Sequence, residues 1–466
     1  METVDFHKSK KKKVFSPMRR IAFSFFMVIL VGSLLLACPF SNQGAVAPYI
    51  DHLFIATSAT CVTGLVPFVV ADQYTLIGQL IIILLIQIGG LGFLTLLNMF
   101  IYALRKRLTY TNKIIMQEAL NQNSMAAIGV YIKRVIKYTA FFEIVGALLL
   151  CIVFVPEFGL VKGIYYGFWH SISAFCNAGF DILGPNSLIP YQTNVLMNLT
   201  IAGLIIAGGL GFVVWIDLRM FWRHYKENFK FFRIKTFFSS LSLHTKIVLL
   251  ATVSLLLGGT LVILFLEYNN PGTLGPLPWG DKILASFFQS TTTRTAGFAS
   301  VDMASLHDST KLFMSILMFI GGSPAGTAGG IKTATLVIAL MYLHSLQNGR
   351  EVVTMFKRRI DDQVVKRSLT IAILSFFVCS LGLFILSMNE GADFIDLIFE
   401  VFSAFGTVGL SASLTPTLTV IGKIVIIILM YIGRIGPMTM VLVFAKKYKQ
   451  KKGKDIVYPV GDVLIG

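Results

Sequence analysis

The sequence predicts an all-α polytopic membrane protein made of four similar units, and three observations support this fold class. Of the 466 residues, 55% are hydrophobic and only 14% are charged, which is typical of chains that cross a membrane several times. The apolar residues form eight long runs with four shorter runs between them. The ends of the short runs, and the long runs that follow them, repeat similar sequences at a nearly constant spacing.

The eight long runs are predicted to span the bilayer, because about 20 apolar residues suffice for one crossing. They cover residues 21–38, 76–104, 138–155, 195–217, 247–266, 312–345, 369–388 and 421–445. The sixth run contains GGSPAGTAGGIK and would be about 51 Å long as one helix, against about 30 Å of hydrocarbon. We therefore expect its glycine-rich part to leave the helix as a loop beside protein or a water-filled cavity.

The four short runs cannot cross, because stretches of about 10 to 14 apolar residues are typical of re-entrant segments. They cover residues 49–60, 162–175, 281–293 and 393–405. Each lies between two long runs, so the chain reads as span, pore helix, span four times over. This order predicts four pseudo-symmetric span–pore-helix–span repeats around one central pore.

Each short run ends in a similar segment, in which a Ser or Thr stands six residues before a Gly. The segments are SATCVTGL, SAFCNAGF, TTTRTAGF and SAFGTVGL, with the aligned glycines Gly64, Gly179, Gly297 and Gly409. The following spans carry IGGLGF, AGGLGF, IGGSPAG and IGRIGP. Two features that recur in one order at one period indicate a repeated architecture. Close helix packing is expected for the glycines inside the spans, Gly89, Gly90, Gly92, Gly208, Gly209 and Gly211.

The four aligned glycines predict a path for a cation. Glycine permits backbone turns that aim carbonyl oxygens at one axis, and rings of carbonyls replace the water shell of a monovalent cation. The C-terminal ends of the short helices would add negative partial charge to the same cavity. The aligned side chains form no acidic ring, which favours K+ over a strongly hydrated divalent ion.

The net charge of +17 is unevenly distributed, and its distribution predicts the topology. By the positive-inside rule the basic segments and both termini are cytoplasmic, in a multi-pass protein of the bacterial plasma membrane. Nucleic acid binding is not expected, because the basic clusters flank spans and lack interleaved aromatic residues. The predicted organisation is a basic N-terminus (1–20), repeat 1 (21–104), a cytoplasmic linker (105–137), repeat 2 (138–218), a second linker (219–246), repeat 3 (247–345) with an intramembrane loop (321–330), a third linker (346–368), repeat 4 (369–445) and a C-terminal tail (446–466).

Other classes of protein predict features that this sequence lacks. The glycine-rich run is not a phosphate-binding loop, since Ile331 separates Gly330 from Lys332. The five cysteines form no C-x-x-C, so neither a metal site nor a disulfide framework is expected. A membrane enzyme would need paired acids, metal ligands or a nucleophile with its base inside the spans, and we expect no enzyme. An alternating-access transporter usually shows an inverted twofold repeat, whereas this repeat is fourfold and same-sense.

Taken together, these segments resemble the Trk/Ktr/HKT superfamily of potassium transporters, and most of all the membrane subunits of bacterial Ktr systems. The resemblance runs from about residue 20 to residue 466 and depends on CVTGL, CNAGF, TRTAGF, GTVGL and GGSPAGTAGGIKT. It implies potassium uptake through a channel-like pore with a four-glycine selectivity filter and a gating loop in the third inner helix. Superfamily members that pass Na+ often replace the first glycine by serine, so Gly64 favours K+. A Na+-conducting or weakly selective member is the alternative.

The resemblance assigns the ion pathway and the gate to particular residues. The filter would hold K+ at the backbone carbonyls of Thr60, Cys61, Val62, Thr63, Gly64, Cys176, Asn177, Ala178, Gly179, Arg294, Thr295, Ala296, Gly297, Gly406, Thr407, Val408 and Gly409. The gate would comprise Gly321, Gly322, Ser323, Pro324, Ala325, Gly326, Thr327, Ala328, Gly329, Gly330, Lys332 and Arg434.

Four charged side chains in apolar surroundings leave alternatives open. A charge such as Arg434 in mid-span requires partners, so it either sets an electrostatic barrier beside the gate while it binds the loop carbonyls, or serves only as a structural clamp on those carbonyls. Lys332 either binds the loop or extends toward the cytoplasm. Arg294 is expected to point behind the filter toward an acid. Glu143 is expected to form a hydrogen bond between helices, with a proton relay as the alternative.

The resemblance also implies partners. Ktr-type membrane subunits act as homodimers on a cytosolic ring of nucleotide-binding RCK subunits, which the basic cytoplasmic loops would dock. Membrane lipid would surround the spans. No covalent cofactor is expected; K+ is the transported ion, and Na+ is a candidate activating or coupled ion.

Overall fold

The computed structural model describes residues 17–92, 128–228, 234–350 and 352–444, and these are mostly helical. The first helices are α1 (Pro17–Ala37), α2 (Tyr49–Cys61), α3 (Val70–Gln73), α4 (Leu76–Leu91), α5 (Ile128–Phe158), α6 (Leu160–Phe175), α7 (Val195–Gly209) and α8 (Phe212–Asn228). They are followed by α9 (Ile234–Ser240), α10 (Leu243–Glu267), α11 (Trp279–Thr292), α12 (Asp308–Phe319), α13 (Thr333–Gln347), β1 (Thr354–Met355), β2 (Arg358–Arg359), α14 (Asp362–Asn389), α15 (Phe394–Gly406), α16 (Val420–Ile435) and α17 (Pro437–Phe444).

Several predicted segments fall wholly or partly outside the described residues. These are the N-terminus up to residue 16, the end of the second span from residue 93, the first linker up to residue 127, part of the second linker, and the C-terminal tail. For reference we call α1–α4, α5–α8, α10–α13 and α14–α17 units 1 to 4, after the predicted repeats.

Within the described residues, four helices are long and apolar enough to cross a membrane by themselves. They are Arg19–Ala37, Tyr131–Phe158, Leu243–Glu267 and Asp362–Asn389. Each is the first long helix of a unit, as the hydropathy pattern predicted. These helices expose large apolar side chains, such as Phe265 (83%) and Ile373 (72%), as a lipid-facing surface requires.

In units 2, 3 and 4 the second apolar run is interrupted, whereas the sequence predicted an interruption only in unit 3; in unit 1, α4 ends at Leu91 and the described residues stop at Gly92. In unit 2 the chain bends by 95° between α7 and α8, and in unit 4 α16 ends before α17 begins. The recurrent cause is a glycine with positive φ: +80° at Gly92, +88° at Gly211 and +93° at Gly436. Such a φ ends a right-handed helix. Gly92 thus ends a helix in place of the packing role expected for it. Gly211 lies at the break after α7 and also packs closely, since a Cβ there would lie 2.5 Å from the Pro324 carbonyl oxygen.

Other glycines of these segments do pack closely, against the end of the short helix in their own unit. A Cβ on each would collide with the carbonyl oxygen of the residue four positions before the aligned glycine. The pairs are Gly89 with Thr60, Gly208 with Phe175 and Gly433 with Phe405. In units 1, 2 and 4, the second long helix therefore packs against the C-terminal end of the short helix, and the contact involves the equivalent pair of residues in each unit.

Polar side chains at one helical position join neighbouring units. The fourth residue of the second long helix contacts the short helix of the next unit in three cases. The pairs are Gln79 with Tyr165 (2.9 Å), Lys311 with Asp396 (2.8 Å) and Lys423 with Asp51 (2.6 Å). These contacts run from unit 1 to 2, from 3 to 4 and from 4 back to 1. Because α7 of unit 2 also packs against α11 of unit 3, the four units contact one another in chain order, and the fourth meets the first.

The third predicted linker, residues 346–368, is a folded element. It contains the β1–β2 hairpin, in which Thr354 pairs with Arg359. Buried Val353, Ile360 and Val365 pack it against the neighbouring ends of α13 and α14. The segment between units 3 and 4 is consequently fixed to the helices that it connects.

Candidate functional site

The four aligned glycines lie together in a closed ring, which we call the glycine ring (Gly64, Gly179, Gly297 and Gly409). Each one faces the carbonyl oxygen of the residue just before the next glycine, and the fourth faces the first segment. The pairs are Gly64 with Ala178, Gly179 with Ala296, Gly297 with Val408, and Gly409 with Thr63. A Cβ on Gly64 or Gly179 would lie 2.6 or 2.5 Å from that oxygen, nearer than real Cβ atoms approach. A side chain therefore does not fit in the ring.

The backbone that enters the ring alternates between positive and negative φ. Two residues before each ring glycine, Val62, Asn177, Thr295 and Thr407 have φ values of +59°, +60°, +67° and +52°. The glycines themselves have φ between +68° and +102°. Three of the four preceding residues are β-branched, and for them a left-handed φ costs about 1 to 3 kcal/mol. Strain that recurs at one position of four segments points to function.

A hydroxyl group near the end of each short helix holds the turn. Ser58 and Ser403 stand six residues before their glycines, and each Oγ accepts from the glycine N–H, at 3.0 and 3.1 Å. In the other two units the hydroxyl donates to the carbonyl of the residue after the glycine. These bonds are Ser173 to Phe180 (2.7 Å) and Thr292 to Phe298 (2.8 Å). In units 1, 2 and 4 the recurrent Ser therefore offsets the strain of the turn. In unit 3 the neighbouring Thr292 does so, while the aligned Thr291 donates to the Phe287 carbonyl within α11.

Several predicted filter residues lie in or at helix ends and not in the extended segments. Thr60 and Cys61 belong to the last turn of α2, Gly406 ends α15, and Cys176 follows α6. Near the ring, three buried hydroxyl groups have no hydrogen-bond partner among the described residues. They belong to Thr60, Thr63 and Thr407. Unpaired buried hydroxyls are rare and require a water or an ion as partner.

Arg294 points away from the ring, but its partner differs from the expected one. Its Nη2 donates to the Thr252 hydroxyl of α10 at 3.3 Å, and the residue is 5% exposed. In the part of the chain that the structure describes, the contact is thus to a hydroxyl and not to an acid, and the Nε atom has no partner. The prediction that the Arg294 side chain points behind the filter is confirmed, and the prediction of an acidic partner is wrong.

The glycine-rich run forms a closed loop between α12 and α13. Ile320 and Ile331 pair in a parallel bridge at its neck, where Gly321 N–H donates to the Ile331 carbonyl at 2.8 Å. The two flanking helices have 12 and 15 residues, so neither alone has the length of a full crossing. The break in the sixth apolar run is therefore a loop, as its length and composition predicted.

The loop is bound by unit 2. Ser323 N–H donates to the Gly209 carbonyl at 2.9 Å, at the C-terminal end of α7. The Thr327 hydroxyl donates to the Phe175 carbonyl at 3.2 Å and lies 3.0 Å from the Asn177 side-chain amide. Since Asn177 is one of the left-handed residues, the loop touches the segment that forms the ring.

Unit 4 binds the loop from the other side. A Cβ on Gly329 would overlap the Thr407 side chain, and one on Gly330 would lie 3.2 Å from the Gly406 carbonyl oxygen. Thr407 is the left-handed residue of unit 4. The loop thus lies against two of the four segments, on the side of the residues that precede the ring glycines.

Arg434 connects the loop to unit 1. Its Nη1 donates to the Thr327 carbonyl, and its Nη2 donates to the carbonyls of Gly89 and Gly90 at 2.5 and 3.1 Å. A buried charge needs several such partners, and here all of these are backbone oxygens. Both roles left open for Arg434 include binding of the loop carbonyls, so these contacts are as expected and the electrostatic barrier stays a prediction.

Lys332 binds the loop and does not extend away from it. Its Nζ donates to the Ala328 carbonyl at 2.6 Å and lies 3.4 Å from that of Gly329. The lysine therefore closes the C-terminal side of the loop on itself, which decides the alternative that the sequence left open.

Glu143 forms the helix–helix hydrogen bond that was expected. Gln87 Nε2 of α4 donates to Glu143 Oε1 of α5 at 3.0 Å. Gln87 Oε1 in turn accepts from the Cys176 thiol at 3.4 Å. The carboxylate is thereby connected through one amide to the residue that precedes Asn177.

A cavity of about 530 Å³, which we call the outer cavity, lies on the other side of the glycine ring. It is lined by the segments that follow the ring glycines. Lining residues include Val66, Phe68, Asp181, Met303 and Ser411. Because the loop contacts residues before the glycines and the cavity contacts residues after them, the ring separates the two.

Comparison with known proteins gives three findings. Residues 6–456 match the sequence profile of the TrkH family, described as "Cation transport protein". "Ktr system potassium uptake protein B" of Bacillus subtilis is 41% identical and covers 97% of both chains, and "Potassium/sodium uptake protein NtpJ" of Enterococcus hirae is 40% identical over 98% of this chain and 99% of its own. The crystal structure of the potassium transporter TrkH from Vibrio parahaemolyticus has the same fold, with a TM-score of 0.72 at 16% identity, over 94% of this chain and 87% of that one.

Proposed function

Because the chain belongs to the TrkH family of cation transport proteins, we propose that it takes up potassium ions across the plasma membrane through a channel-like pore. The pore would run along an axis through the glycine ring, with the four units as pseudo-symmetric repeats around it and both termini in the cytoplasm. One observation carries the proposal: the cyclic contacts that lead from Gly64 through Gly179 and Gly297 to Gly409 and back.

The ring would act as the selectivity filter. Alternation of negative and positive φ turns successive carbonyl groups to one side of the backbone, and four such segments would surround the axis with oxygens. The carbonyls of Thr63, Ala178, Ala296 and Val408 lie at the level where neighbouring segments touch. Neutral oxygens of this kind replace the hydration of K+ without binding it so tightly that it cannot leave. The unpaired hydroxyls of Thr63 and Thr407 are suited to contact the ion or its water.

The loop at residues 321–330 would act as the gate. It lies against the segments of units 2 and 4 on one side of the ring, where it would obstruct the path of a cation. Arg434 and Lys332 hold it through backbone carbonyls alone. Such bonds tolerate movement, since a guanidinium can exchange one carbonyl for another. Conduction would then require Thr327 and Gly329 of the loop to leave Asn177 and Thr407.

A weakly selective function is the second candidate, because one relative is named for both potassium and sodium uptake. The two candidates differ in a measurable ratio, the rates of Rb+ and Na+ uptake. Glycine at position 64, with its close approach to Ala178, supports K+ selectivity.

A cytosolic partner is also proposed, since the relative from Bacillus subtilis is named as a component of a Ktr system. We expect a homodimer of this chain to bind a ring of nucleotide-binding RCK subunits on the cytoplasmic side. Growth of a K+-uptake-deficient bacterium that expresses this chain, with and without an RCK subunit, tests this dependence. Growth at low K+ that needs no second subunit would contradict it.

The direct test of the function is uptake of 86Rb+ by liposomes that contain the purified protein. We expect uptake that is driven by an inward-negative potential and competed by K+ more strongly than by Na+. Uptake at the level of protein-free liposomes would contradict the proposal, and equal competition by the two ions would favour the weakly selective candidate.

A further inference from the structure

The outer cavity contains one charged side chain among the described residues that line it. Its walls are largely apolar, with Val66, Phe68, Val69 and Met303 facing the space. The uncharged Ser187, Ser411, Ser413 and Thr415 also line it. Asp181 is the exception, two residues after the ring glycine Gly179.

Asp181 is held in place by its own loop. Its Oδ1 accepts from the Leu183 N–H at 3.2 Å, and the residue is half-buried on the rim of the ring. Burial raises the pKa of the Asp181 carboxyl to about 6. Its charge is therefore present at neutral pH and is lost in mildly acidic medium.

Two titratable groups behind this lining, His170 and Glu400, are fully buried. The His170 ring lies 3.5 Å from the Ile182 N–H, and the Glu400 carboxylate accepts from the Thr415 hydroxyl. Both side chains are shielded from the cavity by these contacts, at 0% exposure. Within the described lining no Lys or Arg opposes the aspartate, so its field acts on the cavity without compensation.

We propose that Asp181 forms a capture site for a hydrated alkali cation in the outer cavity, one step before the cation loses its water at the glycine ring. This inference rests on the proposed function and adds a second site to it. A water takes about 30 Å³ of liquid, so a cavity of about 530 Å³ holds an ion with its hydration shell. A carboxylate among low-dielectric walls concentrates cations there and increases their rate of arrival.

The site has a predictable kinetic role. Because the captured ion is still hydrated, Asp181 acts on K+ and Na+ alike and does not change their ratio. Asp181 lowers the external cation concentration needed for half-maximal uptake. The maximal rate is set by later steps, at the glycine ring and the loop. A proton that binds the carboxyl removes the charge, so protons compete with the external cation.

The experiment measures 86Rb+ uptake into liposomes at external pH values from 7.5 to 5.0, with the internal pH fixed. For the unaltered protein we expect the KM for Rb+ to rise about tenfold as the external pH falls through about 6, at constant maximal rate. Asp181→Asn should show the high KM at every pH, with the Rb+ to Na+ ratio unchanged. Asp181→Glu, which keeps the charge, should retain the pH dependence.

Asp302→Asn is the matched control. Asp302 lies on the corresponding outer loop of unit 3, where it accepts from Ala304 N–H and Ser305 and is exposed outside the cavity lining. This variant should behave like the unaltered protein. A pH-independent KM in the unaltered protein, or an Asp181→Asn variant with an unchanged pH profile, would overturn the inference while leaving the proposed function intact. Absence of Rb+ uptake by the unaltered protein would overturn both.

Discussion

The Nη2 atom of Arg434 lies 2.5 Å from the carbonyl oxygen of Gly89, a residue 345 positions earlier in the chain. The same guanidinium donates to Thr327 in the loop of unit 3. One side chain therefore connects the fourth unit, the first unit and the loop. No carboxylate takes part in these contacts, so the strength of the connection depends on the geometry of backbone oxygens alone.

Replacing Arg434 by Ala should raise the basal rate of Rb+ uptake about tenfold or more, because charged hydrogen bonds of about 1.5 to 3 kcal/mol each are lost from the closed loop. Arg434→Lys keeps the charge but not the fork that reaches two segments, and it should give an intermediate rate. Uptake in liposomes measures both. A lower rate from correctly folded Arg434→Ala protein would exclude the clamp.

Replacing Gly64 by Ser should reduce the preference for K+ over Na+ by about tenfold, equivalent to about 1.4 kcal/mol. A Cβ there lies 2.6 Å from the Ala178 carbonyl oxygen, at a φ of +102°, so the ring must distort. The matched control is Gly203→Ser in α7, where a Cβ meets nothing within 4 Å. Selectivity that is unchanged in Gly64→Ser, or equally changed in both variants, would contradict the filter assignment.

Replacing Thr327 by Val keeps its volume but removes its hydroxyl contacts to Phe175 and Asn177. We expect a several-fold rise in basal uptake, since a net hydrogen bond contributes about 0.5 to 1.5 kcal/mol. Deletion of residues 325–328 should raise the flux further. Thr370→Val is the control, because that hydroxyl bonds only within α14, to Lys366. A loss of flux in a folded deletion variant would refute the gating role.

The ion pair between Lys423 and Asp51 should stabilise the contact between units 4 and 1. The two side chains are only 13% and 10% exposed, and removal of one partner from a buried pair costs about 3 to 5 kcal/mol. Lys423→Met and Asp51→Asn should each lower the Tm in detergent, and the double variant should lose less than the sum. Arg359→Met, from an exposed pair with Asp362, should change Tm little. Strict additivity in the double variant would show that the pair is not coupled.

Replacing Glu143 by Gln should leave Rb+ uptake within about twofold, since an amide still bonds to Gln87 at a cost of about 0.5 to 1.5 kcal/mol or less. Glu143→Leu leaves the half-buried Gln87 without that partner and should lower expression and Tm. A proton relay would instead make uptake in Glu143→Gln independent of a pH gradient that affects the unaltered protein. Parallel uptake measurements with and without that gradient separate the two roles.

The sequence predicted the positions of the short helices closely, because apolar run length and a recurrent Ser or Thr define them. The predicted run 162–175 corresponds to α6, which ends at Phe175, and the run 393–405 corresponds to α15. It also predicted that the four aligned glycines share one location. The nearly constant spacing of the repeats allows this prediction. Units of similar length and order place their aligned residues at corresponding positions around a common axis.

The breaks in the second long helices were not predicted outside unit 3. A glycine within an apolar run reads as a packing residue, and only its φ distinguishes a packed Gly89 from a helix-ending Gly92. The partner of Arg294 was missed for a related reason. A buried Arg leads one to expect an acidic partner. Thr252 is uncharged and lies 42 residues earlier in the chain, so nothing in the sequence identifies it as the partner.

The cyclic contact order also constrains how the protein is made. Gly409 meets Thr63, so the last side of the ring comes from the unit that the ribosome synthesises after the other three. Until then Gly297 and Thr63 lack their neighbours, and the ring stays open on that side. A chain that stopped after residue 393 would therefore contain three turns but no closed ring.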